Sequence, residues 1–191
     1  MENALSDMTL EELWELFPIT LTEHKGIWDQ WYAEEEETLE SHLPTDQIKR
    51  ISHIGSTAVK GIWAKPIIDI LVEVTHRSSL QQVKPILEEV GYLCMAESLG
   101  RLSFNKGYTE NGFAERVFHL HLRVAGDNDE LYFRDYLNAH PDVANEYEKL
   151  KLNLWKLYEH NRDGYTERKT AFVKEYTQKA KGEFGKRYTH E

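Results

Sequence analysis

The spacing of apolar positions divides the chain into helical, then strand-like, then again helical stretches. Thr9 and Glu12 match a capping box ahead of a short helix carrying Leu10, Leu13, Trp14 and Phe17, and Pro18 stops it. A second helix is predicted from about residue 23 to 43, with Ile27, Trp28, Trp31, Tyr32 and Leu39 roughly on one side. Its acidic run, Glu34 to Glu37, reads as a solvated face, and Pro44 ends it. The period then shortens. Ile48 to Ile54 reads as a strand, and Pro66 to Val74 is a nearly continuous Ile, Leu and Val run of the kind covered on both faces.

Ser78 to Val90 is an amphipathic helix with Pro85 inside it and Gly91 placed to cap its C-terminus. Tyr92 to Ala96 is a short strand. Arg101 to Tyr108 and Ala114 to Val124 are longer ones, joined by a turn containing Gly107, Asn111 and Gly112. Helical periodicity returns from Asp127. One helix covers Asp129 to Ala139, and a second follows Pro141 with Val143, Tyr147, Leu150, Leu154 and Leu157. Beyond Gly164 a last helix covers about Thr166 to Ala180, and the polar stretch after Lys181 is expected to fray. This order predicts an α+β fold, a mixed or antiparallel sheet with flanking helices and a helical C-terminal layer. The expected organisation is one domain over 23–181, preceded by a helical extension (1–22) and followed by a polar tail (182–191).

A chain of 191 residues suits one domain with a real core. Its 33 acidic residues against 23 basic ones give a net charge of −10, which opposes general binding to nucleic acid or anionic membranes. A locally basic pocket for a small phosphorylated ligand is still allowed. Cys94 is the only cysteine, so neither an internal disulfide nor a Cys-based metal cage can form, and a reducing, cytoplasmic setting is expected. The N-terminus lacks the basic and apolar regions of a signal peptide. No apolar run approaches the roughly 20 residues that span a bilayer.

Candidate chemistry concentrates between His53 and Val74. The Gly55-Ser56-Thr57 turn offers backbone N–H groups and hydroxyls suited to phosphate. Asp69 is a lone carboxylate early in an apolar strand, where an unpaired charge is costly, so it faces a cation or substrate, or stands as a buried acid tied to backbone N–H groups or an arginine. Strand alternation puts Ile67, Asp69, Leu71 and Glu73 on one face. Asp69 and Glu73 lie about 13 Å apart along a strand and cannot chelate one ion together. In the strand ending at Val124, His119, His121 and Arg123 alternate with Phe118, Leu120 and Leu122. Two imidazoles at i and i+2 can share a metal or meet a phosphate, or stand as ordinary histidines on a half-solvated face. If the preceding strand pairs with this one, Arg101, Ser103 and Asn105 join that face. Lys169 is the charged member of the stripe Tyr165, Lys169, Phe172, Val173 and Tyr176; it snorkels or reaches into a cleft. Lys65 pairs with Asp69, meets a phosphate, or lies exposed in its loop, and His53 reads as a structural turn histidine. Neither a Gly-x-Ser-x-Gly elbow, nor a Walker A sequence, nor a Rossmann glycine triplet is present.

The stretches HIGSTAVKG and AKPIIDILV resemble the signature of the GrpB family of small bacterial proteins. FHLHLRV, LYFRDYLNAHPDVANEYEKLK and the segment Tyr165 to Val173 continue the likeness in the family's order, roughly from Trp28 to Ala180. Lys60 departs from it, standing where the family usually has proline. The resemblance implies a nucleotidyltransferase-like fold of the DNA polymerase beta superfamily. There, a Gly-Ser turn cradles nucleotide phosphates, and carboxylates at i and i+2 with a third on a later strand hold two divalent ions. Carried over, Gly55 and Ser56 match the turn and Asp69 the first carboxylate. The second falls on Leu71, and the later strand offers His119 and His121.

The leading expectation is a protein binding a nucleotide or another phosphorylated small molecule. Gly55, Ser56, Thr57, Lys65, Arg101, Arg123 and Lys169 would serve the phosphate. Asp69, His119 and His121 would carry any nucleotidyl transfer, with Mg²⁺ or Mn²⁺ on Asp69 and His121. A non-catalytic binding module and a metal-dependent phosphoesterase stand beside it.

Overall fold

The computed structural model describes residues 5–189. In chain order it contains α1 (Leu10–Leu16), α2 (Ile27–His42), β1 (Ile48–Ile54), β2 (Ile68–Val74), α3 (Ser79–Glu89) and β3 (Leu93–Ser98). Then follow β4 (Arg101–Thr109), β5 (Gly112–Val124), α4 (Asp129–Ala139), α5 (Pro141–Tyr158) and α6 (Arg162–Phe184). The strands form one sheet in the order β1-β2-β5-β4-β3. Only the β2–β5 pair is parallel, so the sheet is mixed and the fold is α+β, as its element order predicts.

The two faces of the sheet do different things. Ile68, Ile70, Val72 and Val74 of β2 and Phe118, Leu120 and Leu122 of β5 point one way, into Trp28 and Leu39 of α2 and Leu80, Val83 and Leu87 of α3. Each such side chain contributes about 1.5–3 kcal/mol on burial, so this face carries most of the sheet's stabilisation. The opposite face carries Asp69, Leu71 and Glu73 beside His119, His121 and Arg123, because parallel register sets Asp69 against His119 and Leu71 against His121. Helices α4 to α6 lie over it and share their own apolar cluster, including Leu137, Tyr147 and, at its edge, Phe172 and Tyr176. Glu73 is an anchor on that face: buried, paired with Arg50 at 3.1 Å and accepting from Asn128 Nδ2 at 2.8 Å.

Several local expectations are corrected. Helix α2 begins at Ile27 rather than near residue 23, because Thr22 is held extended by two backbone hydrogen bonds to Ala64, at 2.9 and 3.0 Å. The acidic run is not wholly solvated. Glu35 is buried, accepting from Tyr92 Oη and Lys106 Nζ, both at 2.8 Å. Gly107 lies in β4 at an irregularity between Lys106 and Tyr108, with φ 93°, where a Cβ would strike the Arg116 carbonyl. Gly164 does not precede the last helix but sits in its first turn, since Asn161 caps α6 by accepting from the Gly164 N–H at 2.8 Å. Leu157 is 75% exposed and is not a core residue.

The described part of the C-terminal tail, through Tyr188, is docked rather than frayed. Helix α6 runs to Phe184, and Tyr188 packs on Ile54, Leu71 and Leu131 while its carbonyl accepts from Asn128 Nδ2 at 3.0 Å. At the other end Phe17, Ile19 and Leu21 are buried. Among the described residues no helix is long and apolar enough to cross a membrane.

Candidate functional site

The site begins where β1 ends. Gly55 turns the chain with φ 75°, a conformation that favours glycine, and runs tight against Asp69, so that a Cβ there would collide with the carboxylate. One turn of 3-10 helix, Ser56–Ala58, follows. Asn138 of α4 pins this turn from outside, accepting from the Lys60 N–H at 3.1 Å and donating to the Ala58 carbonyl at 3.0 Å. A proline at position 60 could not make the first of these bonds. The Thr57 hydroxyl lies 2.9 Å from His53 Nε2, and His53 stacks on Tyr32 with ring centres 4.7 Å apart. Burial pushes the His53 imidazole down to about 4, although Asp69 and Asp29 pull the other way, so it is neutral at pH 7.

Asp69 Oδ1 lies 3.6 Å from His119 Nδ1 and 3.7 Å from His121 Nε2. Burial pushes the Asp69 carboxyl up, but the two imidazoles outweigh it and hold the group well below the usual carboxylate range. It is ionised at neutral pH. Behind His119, Nε2 lies 2.7 Å from Tyr108 Oη, which accepts from Arg162 Nη1 at 2.8 Å. Arginine can only donate, so the tyrosine proton is free for His119 Nε2. A neutral His119 then carries its own proton on Nδ1, facing Asp69.

A cavity of about 220 Å³ opens between this face of the sheet and helices α5 and α6. Four basic side chains line it: Lys65, Lys151, Arg162 and Lys169. Lys65 Nζ and Lys169 Nζ lie 4.5 and 4.4 Å from the centre of the same Tyr165 ring. Lys151 Nζ donates to the Trp63 carbonyl and lies 5.0 Å from the centre of the Tyr147 ring. Burial depresses all three amines, and the charge of Lys169 depresses Lys65 and Lys151 further. Lys151 falls to about 7 and Lys169 to about 8, while Lys65 falls well below its ordinary value. Among the described residues Asp69 is the one carboxylate on the cavity wall. Two further polar atoms of lining residues, Arg162 Nη2 and Tyr165 Oη, are buried without a hydrogen-bond partner.

Ser56, Thr57, Lys65, Asp69, His119 and Lys169 therefore meet around one space. Gly55 backs Asp69, and His121 flanks it without lining the cavity. Arg101 and Arg123 stand elsewhere. Arg101 is bidentate to Asp127, both contacts at 2.6 Å, and Arg123 pairs with Glu130 at 2.6 Å. Lys151 and Arg162 were not singled out from the sequence. Lys151 had a signal, since it interrupts the apolar stripe of Val143, Tyr147 and Leu154 as Lys169 interrupts its own. Arg162 had none.

The divalent ions implied by the resemblance find a poor donor set. Leu71, at the second carboxylate position, is fully buried against Ile54 and Leu131 under Tyr188, out of the cavity. Among the described residues no group of three or more His, Cys, Asp or Glu is arranged to hold a metal ion. One carboxylate facing four basic side chains does not fit a two-metal centre, which needs several anionic oxygen ligands.

A family model described as GrpB protein matches residues 18–179, spanning both the Gly55-Ser56-Thr57 turn and the helices that supply Lys151 and Lys169. The chain belongs to the GrpB family. Among GrpB relatives, the glutamate-rich protein GrpB of Alkalihalophilus pseudofirmus is 40% identical over 167 residues, covering 82% of this chain and 92% of that one. UPF0157 protein YqkA of Bacillus subtilis is 34% identical over 159 residues, covering 81% of this chain and 45% of its own. The crystal structure of the conserved protein GrpB from Enterococcus faecalis superposes with a TM-score of 0.75 at 30% identity, covering 86% of this chain and 99% of that one.

Proposed function

We propose that this GrpB-family chain binds a nucleotide or another phosphorylated small molecule, with the phosphate held in the Asp69 cavity. One observation carries the reading: Lys65, Lys151, Lys169 and Arg162 converge on a space with a single carboxylate, where burial depresses the three amines and the charge of Lys169 depresses Lys65 and Lys151 further. An anion supplies the missing charge, while the Ser56 hydroxyl adds a hydrogen bond and the Thr57 hydroxyl, buried and donating to the Ile67 carbonyl at 3.3 Å, holds the turn. On a chain of net charge −10 this local excess is not a consequence of composition. Binding without transfer is the form the geometry supports best. A carboxylate held far below pH 7 is a weak proton acceptor, so Asp69 serves to orient His119 and His121.

The test is thermal unfolding of wild type, Lys169→Met and Asp69→Asn with pyrophosphate and each nucleoside triphosphate, with and without Mg²⁺ or Mn²⁺. A ligand at about 100 times its Kd adds about 2.7 kcal/mol of stability. The expected result is a metal-independent shift in wild type and Asp69→Asn that Lys169→Met loses. A shift that needs metal and vanishes in Asp69→Asn would replace this reading with a metal-dependent one. The absence of any shift with any of these anions would remove it.

A further inference from the structure

The three amines of the cavity are not equivalent. Lys151 Nζ is held by the Trp63 carbonyl, and Lys169 also lines a larger groove along α6. Lys65 Nζ lies 4.5 Å from the centre of the Tyr165 ring, and among the described residues it makes neither a hydrogen bond nor an ion pair. Its backbone is fixed on both sides. Ala64 exchanges two hydrogen bonds with Thr22, at 2.9 and 3.0 Å, and the Lys65 carbonyl accepts from the Ile67 N–H at 2.8 Å across Pro66.

Lys65 and Arg162 also line a second, smaller pocket of about 80 Å³, walled largely by Pro18, Ile67, Phe113 and Val117. The two side chains therefore stand on the seam between a charged compartment and a mostly apolar one. Glu115, the carboxylate of the smaller pocket, is exposed and is not paired with Lys65. At the seam Arg162 Nη1 is committed to Tyr108 Oη at 2.8 Å, whereas Nη2 is buried without an acceptor. A donor left in that state is relieved by an incoming oxygen.

Charge arithmetic leaves Lys65 over. A phosphate monoester brings about two negative charges at pH 7. Asp69 adds one more, and four basic side chains face them. Burial, then the charges of Lys169 and Arg162, hold the Lys65 amine well below its ordinary value, which enlarges its uncharged share. A desolvated amine beside other cations is an activated nucleophile toward carbonyl carbon.

We propose that the ligand is a phosphorylated aldehyde, its phosphate in the cavity and its carbonyl at the seam, where Lys65 captures it as an imine. This rests on the proposed phosphate site and adds the reactive group that the bound molecule carries. The lone pair of Lys65 Nζ forms the C–N bond, and the carbonyl π pair moves onto oxygen, to which Arg162 Nη2 donates. The two amine protons pass to that oxygen, which leaves as water while C=N forms. The step consumes no oxidant or reductant. Lys151, Lys169 and Ser56 keep the phosphate.

The test is calorimetric titration of glyceraldehyde 3-phosphate, glycerol 3-phosphate and inorganic phosphate into wild type, Lys65→Met and Lys65→Arg, each variant first shown by its melt to be folded. Arginine keeps the positive charge, so Lys65→Arg separates a lost nucleophile from a lost cation. Wild type with glyceraldehyde 3-phosphate is also reduced with cyanoborohydride and mapped by peptide mass spectrometry, a readout that needs no variant. The aldehyde is expected to bind about tenfold or more tighter than its alcohol, a gain that both variants lose. Reduction is expected to fix one adduct, on Lys65, that excess inorganic phosphate suppresses. Equal affinity of aldehyde and alcohol, a gain that survives Lys65→Arg, or an adduct on other lysines instead would overturn the inference while leaving the phosphate site standing. Failure of all three compounds to bind would overturn both.

Discussion

Replacing Lys169 by methionine should make the ligand-free protein more stable and a worse anion binder. The amine ordinarily titrates at 10.5, and burial lowers it to about 8 in the folded chain. Each pKa unit corresponds to about 1.4 kcal/mol, so at pH 7, where the amine is protonated in both states, it opposes folding by about 3 kcal/mol. Between about pH 8 and 10.5 the unfolded chain holds more protons than the folded one, so wild-type stability rises with pH across that window. Methionine keeps the aliphatic contact with Tyr165 and removes the charge. Allowing for partial solvent access to Lys169, the gain at pH 7 should be about 1–3 kcal/mol, or about 2–4 °C of Tm per kcal/mol at this chain length. The advantage should shrink as pH rises from 8 toward 10.5. A charge-assisted hydrogen bond to phosphate is worth about 1.5–3 kcal/mol, so pyrophosphate affinity should fall about 10- to 100-fold. Thermal melts from pH 7 to 10, paired with calorimetric titration, measure both. A variant that melts lower than wild type throughout and binds pyrophosphate equally well would refute the charge argument.

Three further outcomes follow from the same geometry. Gly55→Ala meets both a positive φ and the Asp69 carboxylate, so urea unfolding should show a loss of more than about 1 kcal/mol and the pyrophosphate shift should weaken with it. Pyrophosphate binding at pH 8 should take up protons, because an anion raises the depressed Lys151 and Lys169 amines; titration in buffers of different ionisation enthalpy reads this, and affinity should fall from pH 7 to 9. Tyr188→Ala uncovers Leu71 and removes the tyrosine's packing and its hydroxyl contact with Asp135; denaturant unfolding should report a loss of about 1–3 kcal/mol.

Alternation along single strands was enough to put Asp69 on one face of β2 and His119 and His121 on one face of β5. Each needed only the two-residue period of an extended chain. Bringing them within 3.7 Å needed the parallel β2–β5 register, which depends on a crossover through α3, β3 and β4 that no local signal encodes. The same limit explains Glu35. Its run of glutamates reads as solvent-facing, and its two partners, Tyr92 and Lys106, lie far along the chain. It also explains Leu71. A leucine at a position where a carboxylate is expected reads as a degraded site. In the fold it is part of an apolar seal closed by α4 and by Tyr188, from a tail whose composition suggests no such role.

Lys151 and Lys169 show what a sequence can still disclose. A lysine set in an apolar helical stripe must carry its charge somewhere, and one such residue could be taken as snorkelling to water. Two of them, on adjoining helices, are harder to explain that way, because the stripes that bury Tyr147 and Tyr165 turn both amines toward the same space. Net charge hides this: −10 is an average over a surface rich in glutamate, whereas a ligand meets only the residues around it. The depressed lysines are a cost to folding, and it is one that a bound anion would offset by returning negative charge to the cavity.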